Sequence, residues 1–173
     1  MARNKHEKNK ENIYKSRIKT VQKSIDSYIA CERASKTIQE SSAFLTEQAQ
    51  LFIITHDTKY ADAYINAKYI DRNREKAVYN LLQITSRDDP NYQKLLNAIT
   101  QAENLSSIEL YGIRLAYNCI NDKNIPEYVS SIQIRPSDKR NNPEEQQKVA
   151  LQTITSPGYL VYKNRVNENC ALL

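Results

Sequence analysis

The sequence predicts an all-α fold, an elongated antiparallel up-down-up-down four-helix bundle with a long first helix and a Pro-rich distal connection between helices three and four. Three observations lead there. The 173 residues hold only 2 glycines, too few for the tight turns of a sandwich or barrel or for a phosphate-cradling loop. Lys, Glu, Gln, Ala, Leu and Ile dominate, as long helices require. Apolar residues recur at three- and four-residue spacing, interrupted at a few well-marked connections. Tyrosine numbers 12 against 2 phenylalanines, which suits a slender bundle whose residues lie near the surface with hydroxyls wet or bonded.

Residues 1–12 form a basic segment that is expected to fray, and residues 13–170 form the four-helix domain. The first helix runs over about 14–55. Ile18, Val21, Ile25 and Tyr28 are spaced 3, 4, 3, a bundle-type seam. The seam thins through Glu32, Ser35, Gln39 and Ser42 and recovers at Leu45, Ala49 and Phe52. No breaker interrupts it, so it spans roughly 60 Å. The turn is Thr55-His56-Asp57-Thr58, with Asp57 and Thr58 as N-cap residues. The second helix, about 58–85, carries Tyr60, Tyr64, Ala67 or Lys68, Arg74, Ala77 or Val78, Leu81 and Leu82. Ser86 to Pro90 stops it and caps the third helix, about 90–121, on Tyr92, Leu95, Ile99, Ala102, Leu105, Ile108 or Glu109, Leu115 and Tyr117. Residues 122–144 contain Pro126, Pro136 and Pro143, which exclude a continuous helix. Ile125, Val129, Ile132 and Ile134 are apolar enough to pin this connection to the bundle tip. The fourth helix, about 143–170, is kinked at Ser156-Pro157-Gly158. Both termini fall at one end, and the first helix outlasts the second by about a dozen residues as a stalk.

Charge is uneven. Residues 1–23 hold eight Lys/Arg and two acids, +6 of a total +5, so the rest of the chain sums to −1. The basic character belongs to one end and not to a folded face, which argues against a nucleic-acid-binding domain. No window approaches 18 apolar residues, and residues 1–15 contain no apolar stretch of signal-peptide type. There is no G-x-S-x-G, H-E-x-x-H or Walker loop, so no enzyme activity and no cofactor is expected. His6 and His56 are far apart, and His56-Asp57 lacks further ligands, so no metal site is expected. Cys31, Cys119 and Cys170 are an odd set. In the four-helix arrangement Cys31 lies about 37 Å below the tip and Cys119 beside it, too far for a bond between them.

The stretch LTEQAQLFIITHDTKYADAYINAKYIDRNREKA resembles the first hairpin of extracytoplasmic four-helix-bundle sensor domains. These belong to methyl-accepting chemotaxis receptors and related sensor kinases and diguanylate cyclases. The matching residues are Leu45, Thr46, Gln50, Phe52, Ile53, Thr55, His56, Asp57, Tyr60, Tyr64, Arg74 and Ala77. Leu105 to Ala116 and Val149 to Val166 resemble later segments of the same pattern, the second with Tyr159, Lys163 and Val166 in place. Gln50 stands where Arg is common and His56 where Gly is common, so a ligand role of that Arg does not carry over. The resemblance implies a non-enzymatic sensor on the extracytoplasmic side of a bacterial membrane, with flanking membrane helices outside this chain. A small molecule or an extracellular protein would be sensed and read out by helix displacement. Partners would be that ligand and a second copy packed through the first and fourth helices. The alternative class is an intracellular helical adaptor whose basic end touches nucleic acid or membrane.

The distal ends of the helices gather Gln48, Tyr60, Tyr64, Arg114, Tyr117, Asn118 and Gln147 near His56. Arg114 amid tyrosines suits a carboxylate ligand. The same residues also read as half-buried core tyrosines with Arg114 turned to water. A second candidate is the thinned seam Glu32, Ser35, Gln39 and Ser42 with Arg74 nearby. That seam reads equally well as an exposed face or a contact with a second subunit.

Overall fold

The protein is described here from a computed structural model covering residues 2–120 and 124–172, with side chains from residue 7 onward. It is all-α, with no strand among the described residues. Helix α1 spans Ala2–Thr55 without a break. It therefore runs through the basic segment that the sequence reading treats as frayed, because nothing there stops a helix: no Pro or Gly lies between Ala2 and Thr55. The helix ends where His56 takes φ 59°, the left-handed conformation that closes helices, usually at glycine. The His56 N–H still reaches the Phe52 carbonyl at 2.8 Å. Asp57 then caps α2, accepting from the Lys59 N–H at 3.2 Å.

The second expected helix is not continuous. It consists of α2 (Thr58–Ile65), a wide π turn over Asn66–Asp71, a left-handed Arg72 at φ 51°, and α3 (Asn73–Leu81). It ends four residues short of the expected boundary, in turns over 82–84. Tyr64, before the break, and Arg74, after it, meet the same neighbouring segment, with Tyr64 on Glu109 and Arg74 on Glu103 and Ser106.

Helix α4 (Pro90–Tyr117) begins on the Asp89 cap with Pro90 in its first turn and ends four residues before the expected boundary. Residue 121 and the next two lie outside the described set. The Pro-rich connection contains two short helices, α5 (Glu127–Ser130) and α6 (Pro136–Lys139). It is pinned as expected. Val129 is fully buried, and Ile125, Ile132 and Ile134 pack on the same cluster. Tyr128 stacks on Tyr69 at 4.1 Å, and the Tyr111 hydroxyl donates to Asp138. Helix α7 (Pro143–Thr155) opens on an Asn142–Glu145 capping box, and α8 (Pro157–Cys170) follows after the break at Ser156.

Contacts give the directions. Ser27 bonds Thr85 at 2.9 Å and Thr46 bonds Glu109 at 2.7 Å, so α1 and α4 rise together. Ser35 bonds the Cys170 carbonyl at 2.7 Å and Gln147 the Ile53 carbonyl at 2.6 Å, so α7 and α8 run the opposite way. The apolar core has two clusters. One lies around Phe52, Tyr64, Ile113, Tyr117 and Tyr159, the other around Cys31, Ile38, Leu95 and Val166. The three cysteines are free. The side chains of residues 7–26 are all exposed, so α1 overhangs the body by more than the expected dozen residues. Among the described residues no helix is long and apolar enough to cross a membrane.

Candidate functional site

A polar layer is embedded in the first of these apolar clusters. Its centre is Glu109, 1 % exposed. The stripe Leu105, Glu109, Gly112, Ala116 on α4 is the core-facing face of that helix, so the spacing carries the carboxylate inward. A buried carboxylate needs donors, and three hydroxyls supply them from three other helices. Thr46 on α1 donates at 2.7 Å, Tyr64 on α2 at 2.9 Å and Tyr159 on α8 at 3.1 Å. Burial pushes the Glu109 pKa above the usual carboxylate range, against the pull of the three hydroxyls and of Arg74. Burial and the nearby Glu109 push the Tyr64 and Tyr159 hydroxyls well up, so both remain protonated donors. Gln50 also faces the Tyr159 hydroxyl.

A turn and a half earlier on α4, Glu103 receives two cations. Lys68 Nζ, from the π turn, is 2.7 Å away, and Arg74 Nη2 is 3.0 Å away and also reaches Ser106 Oγ at 3.4 Å. The Arg74 side chain is 3 % exposed and that of Lys68 7 %, whereas Glu103 is 45 % exposed. Among the described residues both Arg74 hydrogen bonds are made by Nη2. Arg74 also forms part of the wall of a lateral groove of about 410 Å³. Thr37, Glu40, Ser41, Phe44 and Leu45 of α1 face Ala67, Asp71 and Asn73 across it. The left-handed Arg72 sits between two of these lining residues, so the helix break forms part of the groove wall.

The predicted distal residues divide. Tyr64 belongs to the Glu109 layer. Tyr117 is 1 % exposed, its ring 4.6 Å from that of Phe52, and is core. Tyr60 is half-buried under Lys59, and Gln48 is buried on α1. Arg114 and Asn118 do come together. Arg114 Nη1 donates to Asn118 Oδ1 at 2.6 Å, Asn118 Nδ2 to Gln146 Oε1 at 2.8 Å, and Gln146 Nε2 to the Asp138 carbonyl at 2.9 Å. Arg114 Nε is buried without a partner, and burial lowers the guanidinium pKa. Gln147 is held between His56 and the Ile53 carbonyl. This cluster ties the Pro-rich connection to α4. None of its residues lines the groove. Of the thinned seam, Ser35 is committed to the Cys170 carbonyl, Glu32 is exposed, and Ser42 is buried with its hydroxyl unpartnered.

Sequence reasoning missed Glu109, Glu103 and Lys68 as site residues. A signal existed for two of them: Glu109 and Lys68 occupy apolar-stripe positions where a charge must find buried partners. Among the described residues no group of His, Cys, Asp and Glu could hold a metal ion. No protein-family model, curated protein or solved structure matches the chain.

Proposed function

We propose that this chain is a ligand-sensing, up-down-up-down four-helix module of a bacterial signalling receptor, working on the extracytoplasmic side of the membrane and without catalysis of its own. The reading carries the sensor-domain resemblance forward and moves its ligand site from the distal tip to the lateral groove. The observation that carries the site is Arg74, a guanidinium almost wholly buried in the groove wall, whose hydrogen bonds among the described residues are made by Nη2. A guanidinium fork suits a carboxylate, while Phe44, Leu45 and Ala67 offer an apolar floor for a small body. Signal output has a physical route in this reading. Arg74 acts on Glu109, and Glu109 holds Tyr159 in the first turn of α8, directly after the break at Ser156. A ligand that draws Arg74 away weakens this layer and lets α8 shift against α1.

The test is a thermal-shift screen against amino acids, organic acids and amines. Carboxylate-bearing compounds are expected to raise the melting temperature of the wild type and of Arg114→Ala. They should do nothing to Ser41→Trp, in which an indole fills the groove. A shift kept in Ser41→Trp and lost in Arg114→Ala would return the site to the distal cluster. Silence across the library would refute the sensor reading.

A further inference from the structure

The overhanging start of α1 is unused by the sensor reading and has a chemistry of its own. Tyr14, Ile18, Val21, Ile25 and Tyr28 are 70, 57, 58, 47 and 45 % exposed. At 100° per residue these five fall within an arc of about 80°. Lys8 and Lys15 border the stripe on one side, with Lys19 and Lys23 beyond, and Lys10 and Arg17 border the other. Over residues 7–26 six Lys/Arg face three acids. Glu11 is paired with Lys15 at 2.7 Å, and Asp26 accepts from Gln22 at 2.9 Å.

We infer that this helix is a docking surface for an anionic lipid bilayer, lying in its headgroup layer with the stripe inward. The charge pattern selects this occupant. A second copy in parallel register would bring Lys10 of one chain to Lys15 of the other, a like-charge pair beside the seam. Nucleic acid would use the cations but has no use for a row of exposed Ile and Val. A lipid interface uses both. The aliphatic stripe buries in the acyl boundary, Lys and Arg reach out to acidic headgroups, and Tyr14 at one end presents its hydroxyl at headgroup depth, while the Tyr28 hydroxyl at the other donates to Glu32 at 3.2 Å. Residues 7–26 are exposed all round, so nothing in the body has to move. The inference does not depend on the sensor reading.

The experiment is co-sedimentation of the full chain with phosphatidylcholine vesicles, with and without phosphatidylserine, at low and high salt. Binding to the anionic vesicles alone, weakened by salt, is expected. Arg17→Ala/Lys19→Ala/Lys23→Ala should weaken it by about a hundredfold, roughly fivefold per charge. Ile18→Asp/Val21→Asp should abolish it at low salt, with helix content checked by circular dichroism. Absence of binding to anionic vesicles at low salt overturns the inference, as does undiminished binding by the Ile18→Asp/Val21→Asp variant. A duplex DNA bound equally by that variant assigns the basic flank to nucleic acid instead. A dimer in ultracentrifugation that this variant dissolves assigns the stripe to a second copy, and either result ends the lipid proposal.

Discussion

Glu109→Ala tests the polar layer most directly. The substitution removes the acceptor of three buried hydroxyls at once. Tyr64 keeps a second acceptor, the Ser106 carbonyl at 3.4 Å. Thr46 can turn to the carbonyl one turn earlier on α1, as helical threonines do. Tyr159 is otherwise faced by Thr46 and Gln50, whose side-chain oxygens are its remaining acceptors. Three buried hydroxyls thus exchange one shared carboxyl acceptor for poorer neutral ones, at about 1–3 kcal/mol. The space left by the side chain adds to this. Removing a desolvated carboxylate gives part of it back. The net cost is about 2–3 kcal/mol, roughly 4–12 °C in melting temperature for a chain of this size. Urea unfolding followed by circular dichroism reads it, with an unchanged m value marking a native-state effect. Glu109→Gln keeps an acceptor oxygen in place, and its amide can donate to a tyrosine hydroxyl, so it should lose no more than about 1 kcal/mol. An alanine variant with the wild-type midpoint, or a glutamine variant as weak as the alanine one, would refute the account of this layer.

Two further outcomes follow from the same geometry. Burial raises the Glu109 pKa in the folded state, so its ionisation costs stability. Its contribution is full below the ordinary carboxylate range and is lost as pH rises through the raised folded value. The urea midpoint of Glu109→Gln minus that of the wild type should therefore increase as pH rises from the ordinary carboxylate range, and a decrease would reverse the assignment. At Gly112, an added Cβ would stand 2.8 Å from Ile53 Cδ1 and 3.6 Å from the Ala150 carbonyl oxygen. Gly112→Ala trades about 1 kcal/mol of helix propensity against an Ile53 rotamer shift of similar size and should be near neutral. Gly112→Leu has no such escape and should lose about 2–3 kcal/mol. A leucine variant as stable as the wild type would mean that α4 does not approach α1 and α7 closely.

Helix identity was legible because it depends on local chemistry. The pattern Ile18 to Tyr28, the Asp57 cap, the stop and restart over Ser86 to Pro90, the Pro143 helix start and the break at Ser156-Pro157 all act within one or two turns. The burial of Val129 and its isoleucine neighbours was legible too, since apolar residues in a long connection have to be covered. The break in the second helix was not. Residues 66–72 contain no Pro or Gly, so nothing local in the sequence marks the left-handed Arg72. The distal cluster predicted around Arg114 and the tyrosines likewise separated into core, a tether for the connection and one member of the Glu109 layer.

Local chemistry sets the all-α character, the connections after Thr55, before Pro90 and at Ser156, and the covering of the apolar residues in the Pro-rich connection, while the Ile18–Tyr28 pattern read as a seam stays exposed. Tertiary structure alone decided the rest. Thr46, Tyr64, Glu109 and Tyr159 come from four helices and lie up to 113 residues apart along the chain. The charges of Lys68, Arg74 and Glu109 read as interruptions of a stripe until their partners are known. A buried charge is tolerable only with its donors or counter-ions in place, and those lie on helices that local propensity cannot bring together.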